Sequence, residues 1–390
     1  MIKPHYRVFA CFFLFAMALG ALLARLPDVQ VNLGLDKAQL GLMLIGMAIG
    51  SLVSLSVGAQ WVDRMGARLT AFVTVIGTAF CYALIPWLPN AYLVFGTLFV
   101  AGLLAGLLEI NLNLEADRIE AQINRRVMNR AHGMWSLGFF VTALLGAAIR
   151  QAEVPVTVHT GVSFVIVVLA ALVLLPGMTN APHRPDAKPH EDGAHRIALP
   201  HWGLLPLCII GVAAFLIEGT GIDWSVIYMR DSFDVEPLVA GLSLTAFTGL
   251  MTLGRLLADP VVDRYGPRAV ATTLLAVAAA GSLLIGVAPH PYVAILGFAM
   301  IGLGCSCVYP LAVSAAAQRT DRPSAVNVAA LAQVSFVVFF LGPPLLGFVA
   351  EAYGIRVSYL AVLPVVIAGL LLCGALEGKR RPDAVAGADA

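Results

Sequence analysis

Twelve runs of about 20 apolar residues dominate this chain and limit what it can become. They lie near 7–26, 38–60, 69–89, 92–115, 130–150, 157–177, 203–229, 237–258, 269–289, 291–316, 327–350 and 357–377. A helix of about 20 residues crosses the hydrocarbon of a bilayer, and a helix satisfies all its backbone hydrogen bonds within the segment. The chain is 59% hydrophobic and only 12% charged, against ~25% charged in an ordinary soluble domain. No single aqueous core hides that much apolar surface, so the chain reads as an all-α integral membrane protein. The first run follows "MIKPHYR" in the manner of a signal peptide, but it is longer than a signal core and completes an even helix count, so it reads as helix 1.

The basic residues predict orientation. With the N-terminus cytoplasmic, Lys3, Arg7, Arg64, Arg68, Arg118, Arg125, Arg126, Arg130, Arg184, Lys188, Arg196, Arg255, Arg264, Arg268, Arg319, Arg322, Lys379, Arg380 and Arg381 face inward. Only Arg25, Lys37, Arg150, Arg230 and Arg356 face outward. Both termini are therefore expected in the cytoplasm, and the membrane is expected to be the bacterial inner membrane.

The one long polar stretch, "TNAPHRPDAKPHEDGAHRIALPHW" at 179–202, predicts a solvated linker. It separates a first six-helix bundle (1–178) from a second (203–378), and 379–390 form a tail. The linker's His183, His190, His195 and His201 are irregularly spaced and have no cysteine partners, which disfavours a metal site. Cys11, Cys81, Cys208, Cys305, Cys307 and Cys373 all sit in apolar runs, where thiols act as small buried hydrophobes. No disulfide, metal or cofactor is expected, and a net charge of +1 gives no reason to expect nucleic acid.

One heptad occurs twice: "VDRMGAR" at 62–68 and "VDRYGPR" at 262–268. Asp63, Arg64, Gly66 and Arg68 match Asp263, Arg264, Gly266 and Arg268, and Gly41-Leu42 matches Gly241-Leu242 at the same offset. Both copies follow the second helix of a half. Glycine permits a tight turn there, and the arginines suit an inner face bearing anionic lipid. This D-R-x-G-x-R turn resembles the cytoplasmic loop motif of the major facilitator superfamily, although Ala59 and Asp259 stand where that motif has its first glycine. The resemblance covers essentially the whole chain. It implies twelve helices in two pseudo-symmetric six-helix bundles, alternating access, and a heptad that latches the bundles together on the cytoplasmic side; a plain topology anchor is the other reading of the heptad.

Ionised side chains are costly inside a membrane, at roughly 2.5–3.5 kcal/mol each on insertion scales, and so mark function. Glu109 lies in helix 4 with Asn113 one turn on and Asn111 on another face; Glu218 lies midway along helix 7, ahead of Gly219 and Gly221. Both acids are read as proton-coupling groups, with Asn113 beside the solute. Two structural readings compete: Glu109 paired with Arg118, Arg125 or Arg126, and Glu218 as a static helix–helix hydrogen bond. The two glycines are expected to loosen helix 7. His132 and Trp135, one turn apart in helix 5, Gln333 in helix 11, and Asp223 with Trp224 near the outer end of helix 7 complete the candidate substrate set. Arg25, Asp28, Asp223 and Arg230 are candidates for pairing across an outer gate.

The spacing of Leu108, Glu109 and Asn113 is similar to helix 4 of the fucose permease branch, where the resemblance links the acid to proton transfer and the asparagine to the cavity. "RAHGMWSLG" at 130–138 resembles the next helix of that branch, with His132 and Trp135 in place of sugar-contacting amides. Helix 1 carries no acid between Val8 and Ala24, unlike that branch. Both departures point away from fucose itself. "RLPD" at 25–28, "EGTGIDWSVIYMR" at 218–230 and "LGPPLLG" at 341–347 resemble uncharacterised bacterial relatives of the branch.

Other functions find less support. No G-x-x-x-x-G-K-[ST] or H-E-x-x-H occurs, and Ser136 with His132 has no third partner at a workable spacing, so neither ATP-driven work nor an enzyme is expected. A channel would call for a ring of charges or a filter loop. The remaining rival is a proton-driven exporter of amphipathic compounds, whose cavity Phe139, Phe140, Trp224 and Phe336 would suit.

Overall fold

The computed structural model describes residues 3–123, 127–181, 200–319, 321–322 and 324–377. Arg125, Arg126, His183, His190, His195 and the tail 379–390 lie outside the described residues. The first half contains α1 (Pro4–Leu23), α2 (Leu26–Leu33), α3 (Lys37–Val57), α4 (Ala59–Leu84), α5 (Ala91–Ile123), α6 (Met128–Gln151) and α7 (Val156–Leu174). The second contains α8 (Leu205–Phe233), α9 (Pro237–Tyr265), α10 (Pro267–Val287), α11 (Pro291–Cys305), α12 (Val308–Ala317), α13 (Ser324–Tyr353), α14 (Ile355–Ala361) and α15 (Leu363–Leu371). Among the described residues, eleven stretches are long and apolar enough to span a membrane, with α11 and α12 forming one of them; α14 and α15 supply a shorter apolar stretch at Ile355–Leu371. The architecture is the twelve-helix, two-bundle fold.

The breaks have local causes. Proline lacks the N–H that would bond the carbonyl four residues back, and its ring crowds that carbonyl. Pro27 accordingly sits just beyond the end of α1, in the first turn of the short α2. Pro310 does the same to Ser306, where α11 gives way to α12. Helix α3 begins at a capping box: Asp36 accepts from the Gln39 N–H at 2.7 Å, and the Gln39 side chain accepts from the Asp36 N–H at 3.1 Å.

The internal repeat extends from sequence to packing. A Cβ on Gly102 would collide with the carbonyl oxygen of Met47, and a Cβ on Gly302 with that of Phe247, at the same offset. One turn on, Gly106 faces Ser54 in the first bundle while Ser306 faces Gly254 in the second, so the small partner has changed helices. Such small residues let spanning helices approach to backbone contact. The α3–α5 and α9–α11 pairs are thus one crossing built twice. The repeated turns also coincide: Gly66 has φ 74, ψ 162 and Gly266 has φ 81, ψ 156, a region that disfavours any residue with a Cβ. In the first bundle the chain is already helical from Ala59, so the turn is a kink at Gly66 within α4 rather than a loop around the whole heptad.

The bundles meet through α3 with α13 and α6 with α9. Polar bonds between them gather on the face opposite the heptads. Lys37 pairs with Asp231 at 3.2 Å and donates its backbone N–H to Glu351. Arg230 donates to Gln30 at 2.9 Å and to the Pro27 carbonyl, and Gln151 joins Glu236 and the Leu238 N–H. Gly41 lies where a Cβ would come within 2.7 Å of the Pro343 oxygen. The outer-gate expectation is therefore corrected in its membership. Arg230 does cross, but to Gln30 and the Pro27 carbonyl; Asp28 pairs with both Arg25 and Arg150 inside the first bundle.

At the heptad face, bonds run within each bundle. Arg7 donates to the carbonyls of Leu174 and Gly177, and Asn180 accepts from the Ala67 N–H. The linker's far end is tied down too: His201 reaches Asp321 at 2.6 Å. Hydrogen bonds from Arg319, then Asn327 and His201, hold the Asp321 carboxyl below the usual carboxylate range. All six cysteines are buried with no disulfide among them, and the described residues hold no cluster of three or more potential metal ligands.

Candidate functional site

Midway between the bundles, two polar groups face one another. On α5 the Asn113 amide donates to the Glu109 carboxylate at 2.7 Å, one helical turn away. That bond turns the amide oxygen toward His132 of α6, and because the oxygen only accepts, the imidazole donates to it from Nε2 at 3.1 Å. Carboxylate, amide and imidazole thus form one chain. The ring of Phe12 lies against His132 at 4.9 Å between centroids, and Trp135 stacks on Phe139 at 5.4 Å.

The opposing group centres on Arg255 of α9. Its Nη2 contacts both oxygens of Glu218 on α8 at 3.2 Å, and its Nη1 donates to Ser136 Oγ of α6 at 3.0 Å. Its Nε donates to the carbonyl of Ser306 at 3.0 Å. That carbonyl is the one Pro310 leaves without a helical donor, so the break between α11 and α12 presents an acceptor and the guanidinium fills it. Arg255 therefore joins three elements of the second bundle to one of the first. Glu109, Glu218 and Arg255 all lie within electrostatic range of His132, and Glu109 within range of Tyr309. Tyr309 stacks on Phe215 at 4.2 Å, and Phe215 meets Phe336 at 5.2 Å.

Charge counting places Arg255 at the cytoplasmic face although the apolar run 237–258 contains it; the structure keeps it within the spanning stretch Pro237–Ala258 and turns it to Glu218. Its position was readable in principle: it precedes Asp263 by more than two helical turns, and its counterpart in the first half is Leu55. Glu109 is not held by Arg118. Arg118 pairs instead with Glu115 at 3.0 Å, and Glu115, buried and not singled out from sequence, also accepts from the Ala181 N–H.

Other expected members stand elsewhere. Helix α8 runs unbroken through Gly219 and Gly221; Gly221 makes room for the Phe247 ring rather than loosening the helix. Trp224 is 2% exposed and packs against Gly347 in the α8–α13 contact, beside Lys37 on the face opposite the heptads. Asp223 lies within electrostatic range of Tyr359, on a different side of α8 from Glu218. Gln333 is exposed along with Val337 and Leu341, and no hydrogen bond between described residues ties it to the Glu109 group.

The first heptad borders a cavity of about 430 Å³ lined by Asp63, Gly66, Asn111, Glu115, Arg118 and Asn180 among others. Asn111 donates to the Ala67 carbonyl at 3.1 Å and so braces the turn. In the second bundle Arg264 lies over the Tyr265 ring and Arg268 pairs with Glu377 at 3.1 Å.

Residues 8–220 and 207–389 match the family model of the Major Facilitator Superfamily. An uncharacterised transporter of Sinorhizobium fredii is 31% identical over 364 residues, covering 93% of this chain and 95% of the relative. Among solved structures, a bacterial homolog of the human lysosomal transporter Spinster, inward-facing and unoccupied, superposes with a TM-score of 0.71 at 12% identity, covering 96% of this chain and 98% of that one. The Escherichia coli fucose:proton symporter superposes with a TM-score of 0.61 at 17% identity, covering 96% and 98%.

Proposed function

The chain belongs to the major facilitator superfamily, and from that premise we propose that it carries a small polar organic solute, a sugar or sugar-like compound, by proton-coupled alternating access. The observation that carries this reading is the pair of intramembrane carboxylates, Glu109 and Glu218, placed on opposite bundles and facing one junction. Buried acids at a bundle interface can exchange a proton between the two sides as the bundles rock. Asn113, His132 and Trp135 offer hydrogen-bonding edges and an aromatic face to a hydroxylated solute. The reading takes 1–178 and 203–378 as the rocking bundles, 179–202 as their linker and 379–390 as a tail. It places the protein in the bacterial inner membrane with both termini cytoplasmic.

In proteoliposomes, Glu109→Gln and Glu218→Gln are expected to abolish solute uptake driven by a pH gradient while sparing solute exchange at equilibrium. Undiminished gradient-driven uptake in both variants overturns proton coupling through these acids. The aromatic stack of Phe215, Tyr309 and Phe336 favours the exporter as second reading; outward movement of an amphipathic dye against its gradient, with no sugar or sugar-acid uptake, would establish it.

The heptads act in this scheme as the cytoplasmic latch, with Asp63, Arg64, Gly66 and Arg68 on one bundle and Asp263, Arg264, Gly266 and Arg268 on the other. On this reading, interlocking of the opposite face goes with a released latch. Asp63→Asn is expected to raise alkylation of a cysteine placed on the heptad-side half of α13 and to slow transport. Unchanged alkylation and unchanged kinetics reduce the heptad to a topology anchor.

A further inference from the structure

The proton reading uses the two acids and leaves the cation between them without a task. An arginine inside a membrane is as costly as an acid, and a purely structural pair would be expected to close both forks of the guanidinium on its carboxylate. Arg255 does not. A single nitrogen, Nη2, meets both Glu218 oxygens, at 3.2 Å each, longer than the ~2.7–2.9 Å of a tight charge-assisted bond. The second N–H of Nη1 has no protein acceptor among the described residues, and the side chain keeps 22% of its surface exposed. Meanwhile Nε and Nη1 are pinned by Ser306 and Ser136, which fixes the plane of the guanidinium before any solute arrives.

Resting on the reading of this junction as the solute site, we infer that Arg255 receives a carboxylate of the solute, so that the cargo is a small hydroxylated organic acid, such as a sugar acid, rather than a neutral sugar. Planar bidentate capture of a carboxylate is the chemistry in which arginine exceeds every other side chain. The hydroxyls of the same solute meet Asn113 and His132. Among the described residues, the titratable groups in range of Glu218 are Arg255 on α9, His132 on α6 and Cys305 in α11; Glu109 on α5 shares His132 with it, and Tyr309 on α12 lies in range of Glu109. While Glu218 is ionised it neutralises Arg255, and an entering anion meets two carboxylates. A proton on Glu218 removes one of those two negative charges and releases the Arg255 guanidinium for the anion, while Glu109 stays bonded to the Asn113 amide. Proton and carboxylate then enter together with no net charge moved.

The test uses the purified full-length protein in detergent, with D-glucuronate and D-gluconate as acid probes and D-glucose and sorbitol as neutral ones. The acids are expected to bind about tenfold or more tightly than their neutral counterparts, the factor lost with one charge-assisted contact. Their affinity should rise as pH falls from neutral. Arg255→Gln should erase the preference and Arg255→Lys should keep part of it; the lysine variant guards against misreading a folding defect. Glu218→Gln, which mimics the protonated acid, should bind the acids tightly with no pH dependence. Equal binding of acids and neutral probes, or an acid preference that survives in Arg255→Gln, overturns the inference. Gradient-driven uptake of glucose or sorbitol into proteoliposomes without acid preference overturns it alone and leaves the proposed function standing. Absence of binding and of uptake for every probe overturns both.

Discussion

Gly102→Val is expected to leave little folded protein, and Gly302→Val to do the same from the other bundle. At each position the added Cβ meets a backbone carbonyl of the facing helix, Met47 or Phe247, well inside contact distance. A flexible side chain could step aside; a helix backbone cannot move without dragging its whole register. Overpacking a core typically costs about 1–3 kcal/mol and more where nothing yields. The matched pair also tests the repeat, since two substitutions 200 residues apart should do equal damage by one mechanism. Gly96→Val is the control, because a Cβ there meets nothing within 4 Å although it lies on α5 as well. Thermal unfolding followed by tryptophan fluorescence, with size-exclusion profiles, reads the outcome. The close crossing is refuted if Gly102→Val melts with Gly96→Val, near the wild-type temperature.

Asp28→Asn is expected to produce the next largest loss. Asp28 is the shared partner of two arginines: Arg25, which is 4% exposed, and Arg150 from α6, whose Nε donates to it at 2.9 Å. Arg25 also donates to the Val154 carbonyl at 2.9 Å, while its Nη1 has no acceptor among the described residues. Neutralising the aspartate strands two cations, one of them out of water. Breaking a buried pair from one side costs about 3–5 kcal/mol, and the 22% exposure of the Asp28 side chain places this case at the lower end, about 3 kcal/mol. The damage should reach the closed face, because α2 also carries Gln30, which Arg230 grips from the second bundle. Removing Arg150 as well, in Asp28→Asn/Arg150→Gln, should recover part of the melting temperature by withdrawing one stranded charge. A single Asp28→Asn variant that melts like wild type would show that solvent, rather than the carboxylate, satisfies these arginines.

The heptad shows where reading the chain directly worked best. Gly66 and Gly266 were legible as turns because only glycine tolerates their positive φ without strain, and the flanking charges have no place in oil. Glu109 with Asn113 was legible for a similar reason: a helix sets the i, i+4 contact by itself, and the two side chains do bond. Arg255 was misread because counting charges by loop assumes that each lies outside a span. Trp224, Asp223 and Gln333 were grouped by residue type and depth, which say nothing about the direction a side chain leaves its helix.

That difference divides what each level determined. The bilayer demands a length and a composition from every span, so the spans, the duplication and the paired turns are written along the chain itself. The spanning helices are apolar on nearly every side, so no periodicity tells which face meets a neighbour, which meets lipid and which lines the junction. Only the packing of the two bundles brought Arg255 to Glu218, Ser136 and the carbonyl that Pro310 releases, because that encounter depends on helices separated by up to 170 residues.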